Sequence, residues 1–333
     1  MARGILDRLA DGPVLGDGGY LLELEKRGYV QAGPFTPEVV IEHPDALAQL
    51  HREFLRAGAE VLQTMTFYAS DDKLATVGLA GKVDEINRTA VKVAREVASE
   101  GDALVAGNLS LTWAYHPEDP SSADHVRELF DRQLRDQTDA GPPDFWIGET
   151  FSYLGEALLF VERAKRTGLP VMVTMSFEKL PAVSYEGDTA GACAARLAEA
   201  GADVVGVNCL NGPEQQLPIA VEMVAAVGDS VPVAAQPVAY ATTSEQPDFT
   251  ASPSFPFALS AVTLPRRDFA TFARQGRDAG VRYLGSCCGA VAEHVRAMAK
   301  VLGKLPEAER AWRSSSGKAM SAYEYYEHAE TEV

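Results

Sequence analysis

Three of the four cysteines in this 333-residue chain fall where short apolar runs end. Cys287 and Cys288 sit side by side in GSCCG (285–289), directly after GVRYL, and Cys209 closes DVVGVNC (203–209). Adjacent cysteines rarely bridge each other, because that ring strains the intervening peptide and disulfide geometry is narrow. They are therefore reactive or metal-binding thiols, or small packed apolar residues. Three thiolates brought to one mouth make a soft-metal site. Zinc takes tetrahedral sulfur ligands and, where catalytic, keeps one position open. No Cys-x-x-Cys spacing is present, so neither a zinc finger nor a ribbon is indicated, and the six histidines (43, 51, 116, 125, 294, 328) fall in helices or loops. The fourth cysteine, Cys193 in GACAARLAEA, reads as a small buried helix residue.

Three thiolates around a divalent cation leave a net negative centre, poor at acidifying water. Such a centre suits a fourth sulfur: the metal lowers a thiol pKa, so a nucleophilic thiolate forms at neutral pH. The expected chemistry is alkyl transfer to a small thiol, and a cationic donor is attracted to the centre. Other groups gather in the same loops. Asp17 in GDGG and Glu149 in DFWIGET can hold an amino acid's ammonium, with loop hydrogen bonding as the alternative. Thr64, Thr66, Asn208 and Gln236 also close strand-like runs. Phe35, Phe67, Tyr68, Trp113, Tyr115, Phe151 and Tyr240 supply aromatic faces, which bind quaternary ammonium groups through cation–π attraction, or simply pack a lid.

What must position these residues is a repeated phrase: an amphipathic helical run, a glycine, then a short apolar strand. It recurs at 51–67, 161–175, 195–210 and 272–289, and Leu47, Leu50, Phe54 and Leu55 share one face of the first helix. Glycine there ends the helix in the left-handed conformation. Further strands are expected at 13–19, 102–110, 144–150 and 231–237, making eight β/α units with the continuous apolar character of a parallel sheet. The G-x-G-x-x-G of a dinucleotide-binding sheet is absent after the first strand. A (β/α)8 TIM barrel is therefore expected over 1–305, with long βα loops at its C-terminal face, where such barrels place their active sites. The loop YATTSEQPDFTASPSFPFALS (240–260) has the length of a substrate lid. Residues 306–333 read as a short C-terminal tail or interface segment, which leaves a homo-oligomer open.

Composition narrows the partners. With 30 Lys+Arg against 47 Asp+Glu, neither nucleic acid nor an anionic membrane surface is expected as a partner. Four irregularly spaced cysteines are no disulfide framework. MARGILDRLADG lacks a signal-peptide apolar core and no stretch reaches transmembrane length, so a cytoplasmic protein is expected.

The chain resembles the homocysteine S-methyltransferase family, and within it the betaine-using enzymes. GDGG, LEKRGYVQAGPFTPE, HREFLRAGAEVLQTMTFYASDDKL, GDALVAG, GVNC, QPVAY, PFAL and GVRYLGSCCG match that pattern in order, from about residue 5 to 300. The resemblance implies a zinc-bearing barrel that moves a methyl group to homocysteine sulfur, giving methionine. It implies Cys209, Cys287 and Cys288 as zinc ligands, and Asp17, Gly18, Thr64, Glu149 and Asn208 around homocysteine. It implies Tyr68 in the donor site. Two positions depart from the betaine enzymes. Phe35 in PFTPE replaces a tryptophan, and Glu149–Thr150 replaces Glu-Tyr, which removes a tyrosine able to occupy the metal. Trp113 and Tyr115 of SLTWAYHPEDP are the candidates to rebuild the aromatic cage. Glycine betaine is the first-choice donor, and a sulfonium, S-methylmethionine or dimethylsulfoniopropionate, the alternative. A non-catalytic zinc or thiol-sensing barrel is the rival from another class. A Schiff-base lyase lacks its strand-end lysine on strands 5 and 6.

Overall fold

The computed structural model describes residues 3–33 and 35–305, so the tail expected over 306–333 lies outside the described residues. Helix α1 (Ile5–Asp11) precedes strand β1 (Val14–Leu15), and two short helices, α2 (Leu21–Lys26) and α3 (Val39–Glu42), fill the first loop before α4 (Pro44–Ala57). Strand β2 (Val61–Gln63) leads through α5 (Asp71–Ala75) to α6 (Val83–Ala98). The chain then alternates: β3 (Leu104–Ser110), α7 (Pro120–Asp139), β4 (Phe145–Phe151), α8 (Leu154–Lys165), β5 (Val171–Met175) and α9 (Ala190–Glu199). It finishes with β6 (Val204–Asn208), α10 (Pro213–Val227), β7 (Val233–Gln236), α11 (Arg266–Asp278), β8 (Tyr283–Leu284) and α12 (Ala292–Val301).

All the strand pairs are parallel, in the order β1-β8-β7-β6-β5-β4-β3-β2. That is the expected (β/α)8 barrel. Its seam between β1 and β2 is stitched mainly by carboxylates. Glu60 N donates to Leu15 O (2.8 Å), Leu15 N to Glu60 Oε2 (2.9 Å), and Gln63 N to Asp17 Oδ2 (2.7 Å). Among the described residues, one of these three bonds at the seam belongs to Asp17, a candidate site residue.

The helix-glycine-strand phrase folds as the sequence suggests. Gly58, Gly168, Gly201 and Gly280 take φ of 106°, 77°, 97° and 92°, a region that costs any other residue strain. On α4, Leu47, Leu50 and Phe54 are fully buried, while Leu55 at the edge of that face is only partly so. Each fully buried side chain of this kind stabilises by about 2 kcal/mol. Inside the barrel Val61, Ile147, Met172 and Tyr283 share one cluster with Ile5 and Leu9 of α1. That packed floor leaves the C-terminal face free for chemistry. No helix among the described residues is long and apolar enough to cross a membrane.

Candidate active site

At that face lies a cavity of about 380 Å³. Its lining includes Asp17, Gly18, Thr64, Glu149, Cys209, Cys287 and Cys288, together with Phe35, Tyr68 and Trp113. Among the described residues, six non-glycine residues take a positive φ: Phe35 (58°), Tyr68 (55°), Trp113 (63°), Thr150 (65°), Cys209 (55°) and Leu210 (52°). All six line this cavity. Left-handed backbone costs roughly 1–3 kcal/mol at each such residue, and it persists where the surrounding fold over-determines it. The strained residues gather at the candidate site.

Cys209 follows the last residue of β6, and the Cys287–Cys288 pair follows β8. Backbone bonds tie the three loops together: Cys209 N to Gln236 O (2.9 Å), Cys287 N to Pro237 O (2.8 Å) and Ala239 N to Cys288 O (2.8 Å). The strand between them, β7, thus acts as a common spacer. The three sulfurs lie within 4.8 Å of one another, and Cys209 and Cys288 are 3.9 Å apart. Ligands about 2.3 Å from a tetrahedral zinc sit about 3.8 Å from each other, so the observed spacing fits one such ion. Contacts among the sulfurs, pulling in both directions, together with burial leave all three thiols well above their ordinary pKa. Three thiolates coexist there only with a cation to neutralise them. Cys193 stands apart in α9, fully buried, its Sγ 3.7 Å from Asp188 O.

The pair of glycines flanking the cysteines has a specific reason on its C-terminal side. Gly289 has φ 79°, and a Cβ there would meet the Tyr240 ring at 2.5 Å. Gly289→Ala should lower stability by about 2 kcal/mol or more and loosen the sulfur cluster. Denaturant midpoint and metal retention measured together check this.

Glu149 owes its aim to a bulge. The β4–β5 register slips between Gly148 and Phe151, so β4 carries one extra residue there, and bulges commonly re-aim side chains beside active sites. Three amides then hold the carboxylate. Asn108 Nδ2 (2.6 Å) and Gln63 Nε2 (2.8 Å) donate to Oε1, and Asn208 Nδ2 (3.0 Å) donates to Oε2. Asn208 is itself fixed, its Oδ1 accepting from Thr150 N and Thr174 Oγ1 at 2.8 Å each. Asn208 is fully buried, hydrogen-bonds Glu149 and does not line the cavity. Burial, opposed by the Asn108 hydrogen bond and helped by nearby Asp17, raises Glu149 to about 7. Asp17 is raised to about 6 by burial, partly offset by the Tyr20 hydroxyl that donates to its Oδ2. Tyr20 also meets His51 Nδ1 at 3.0 Å, and burial pushes that imidazole down to about 3, so it stays neutral. Thr64 Oγ1 accepts from Asn108 N (2.8 Å) and bonds Gln137 Oε1 (3.2 Å), bracing the same floor.

The aromatic wall is only partly the expected one. Phe35 stacks on Phe255 with ring centroids 6.4 Å apart and planes at 4°, and Trp113 Nε1 hydrogen-bonds the Tyr68 hydroxyl. Lys73 Nζ lies 4.2 Å from the Tyr68 ring centroid. Tyr115, expected beside Trp113, is not among the lining residues. Its ring packs edge-on to Tyr153 at 5.6 Å, and its hydroxyl fills the space that Gly155 leaves by lacking a Cβ. Phe151 is likewise diverted into the helix layer, against Phe130 and Phe160. Tyr240 is fully buried against Phe249. Sequence reasoning missed Tyr20, Gln63, Asn108, Ser176, Glu178, Asp248 and Phe255. Gln63, which ends β2 one residue before Thr64, carried a usable signal, and so did Phe255 inside the long loop after β7.

Comparisons with known proteins identify the family. The family model described as homocysteine S-methyltransferase matches residues 14–302. Betaine–homocysteine S-methyltransferase 1 of Danio rerio is 46% identical over 323 residues, covering 92% of this chain and 78% of that protein. S-methylmethionine–homocysteine S-methyltransferase of Pongo abelii is 43% identical over 321 residues, covering 92% and 84%. Among solved structures, the metallated form of the homocysteine methyltransferase MmuM from Escherichia coli superimposes with a TM-score of 0.69 at 21% identity, over 87% of this chain and 97% of that one, which supports the fold. From the sulfur cluster, the cavity and these matches together, this chain is an enzyme of the homocysteine S-methyltransferase family.

Proposed function

We propose that the enzyme moves a methyl group from a cationic donor, glycine betaine first, to the thiolate of homocysteine, giving methionine. The observation that carries this reading is the pairing of a three-sulfur cluster with an aromatic wall in one cavity that no Lys, Arg or His lines among the described residues. Cys209, Cys287 and Cys288 would hold a zinc ion, which would lower the acceptor thiol's pKa and fix its sulfur as a nucleophile. The chain's own residues do the rest. Asp17 and Glu149, backed by Gly18, Thr64 and Asn208, take the acceptor's ammonium and orient it. Phe35, Phe255, Tyr68 and Trp113 offer π faces to the onium methyls and exclude water, which strengthens thiolate–cation attraction. The donor's methyl–nitrogen bond breaks as the methyl–sulfur bond forms, and the amine leaves neutral. The relatives named for betaine support that donor.

The test is methionine formation from homocysteine and glycine betaine by zinc-loaded protein. Chelation should abolish turnover and added zinc should restore it. Metal-replete protein that binds zinc stoichiometrically yet makes no methionine with any onium donor would leave the thiol-sensing reading in its place.

A further inference from the structure

Two glycines fold a phenol back onto the acceptor's carboxylate. In GDGGY (16–20), Gly18 and Gly19 separate Asp17 from Tyr20, and neither position has room for a side chain. A Cβ on Gly18 would meet the Phe54 ring at 2.4 Å, and one on Gly19 would meet Cys287 O at 2.7 Å. Tyr20 lines the cavity beside Asp17, and its hydroxyl donates to Asp17 Oδ2. Gln63 N donates to the same oxygen at 2.7 Å, which leaves Oδ1 for a ligand.

The phenol is itself oriented from behind. Its oxygen lies 3.0 Å from Nδ1 of His51, which is fully buried in α4. A phenol has one proton, and here Asp17 receives it, so His51 Nδ1 must carry the proton that the phenol oxygen accepts. Burial keeps the imidazole neutral, and its Nε2, then a bare lone pair, has no hydrogen-bond partner. The other tautomer would draw the Tyr20 proton to His51 and leave oxygen lone pairs facing the carboxylate. Only one tautomer therefore serves Asp17. Among the described residues no cation faces Asp17 directly. Its titratable neighbours are Tyr20, Glu149 from β4 and Tyr283 from β8, while Arg52 bears on His51 and Glu60 on Tyr283. Neutral donors alone hold the ionised carboxylate against burial.

We infer that Tyr20 and His51 are positioning residues for the acceptor: His51 fixes the Tyr20 hydroxyl, which keeps Asp17 charged and leaves Oδ1 to the acceptor's ammonium. This rests on the methyl-transfer reading. Neither residue touches a reacting atom, so the effect falls on capture of homocysteine and not on the transfer itself.

Tyr20→Phe keeps the ring and its edge contacts to Phe54 and His51, and removes only the hydroxyl. Without that donor Asp17 holds its proton to higher pH. On zinc-loaded wild type the kcat/KM profile for homocysteine should steepen below about pH 6, and in Tyr20→Phe that break should rise by about one unit. At pH 6 this lowers kcat/KM about fivefold, with kcat at saturating homocysteine within threefold of wild type. His51→Asn, whose amide can replace Nδ1–H, should keep the wild-type profile, and His51→Leu should shift it as Tyr20→Phe does. An unshifted Tyr20→Phe profile, or a loss confined to kcat, overturns the inference. Equal shifts in the two His51 variants overturn the part given to His51. Should Tyr20→Phe fail to fold, His51→Leu carries the same test. The titration of the Asp17 carboxyl, read by carbon-13 NMR and assigned with Asp17→Asn, needs no turnover. Its midpoint should rise by about one unit in Tyr20→Phe, and an unmoved midpoint overturns the triad. If wild type neither binds homocysteine nor forms methionine, the methyl-transfer reading fails, and this titration still decides whether Tyr20 holds Asp17 charged.

Discussion

Cys288→Ala should release the metal and lower methionine formation by at least a thousandfold. A structural zinc site contributes on the order of 10 kcal/mol of apparent binding free energy, shared among its ligands. Removing one of three sulfurs should cost about 4 kcal/mol, or about a thousandfold in affinity. The fold should survive, because the surrounding loop is held by main-chain bonds from Ala239 N to Cys288 O and from Cys287 N to Pro237 O, which alanine retains. The loss of a half-buried sulfur costs packing on the order of 1 kcal/mol. Cys193→Ala is the matched control. It deletes an equally apolar thiol from α9, far from the cluster, and should leave metal content unchanged. Metal analysis of the purified variants beside thermal unfolding distinguishes ligand loss from misfolding. Stoichiometric zinc in Cys288→Ala would overturn the ligand assignment.

The barrel and its sulfur cluster were legible because they depend on local, periodic features. A glycine that adopts a left-handed conformation recurs at 58, 168, 201 and 280, each just before a strand, which marks four of the eight β/α units, and short apolar runs mark the other four. Strand ends place side chains at one face without further information, which is why Asp17, Glu149, Cys209, Cys287 and Cys288 converge as expected. Loop interiors carry no such rule. Tyr115 and Trp113 are two residues apart, yet Trp113 takes φ 63° and reaches the cavity while Tyr115 turns to the space above Gly155. A one-residue bulge in β4 and the amides of Gln63 and Asn108 set Glu149's environment. Those partners stand 86 and 41 positions away, and no spacing in the sequence announces them.

That environment leads to the second large effect. Glu149→Gln should raise the KM for homocysteine by about a hundredfold and remove one acid limb from its pH profile. An ammonium–carboxylate hydrogen bond in a buried site contributes about 1.5–3 kcal/mol, and the substitution removes the charge while worsening the neighbours' bonding. Glutamine cannot satisfy them. Asn208 presents its NH2 to one oxygen and cannot flip, since Thr150 N and Thr174 Oγ1 hold its carbonyl. Asn108 and Gln63 present theirs to the other. Whichever end becomes the new NH2 faces a donor. The sign of the pH effect follows from the raised values, about 7 for Glu149 and about 6 for Asp17. In the free folded enzyme these carboxyls keep protons that the unfolded chain releases near 4.5 and 3.8, so the ligand-free protein loses their contribution to stability as the pH rises through those windows. A bound ammonium demands the ionised forms and reverses the preference. Acceptor binding should therefore release a proton near neutrality and weaken about tenfold per unit below pH ~7, more steeply below ~6 as Asp17 joins. In Glu149→Gln only the lower limb should remain. A wild-type kcat/KM for homocysteine that is flat from pH 8 to 6 would remove Glu149 from acceptor binding.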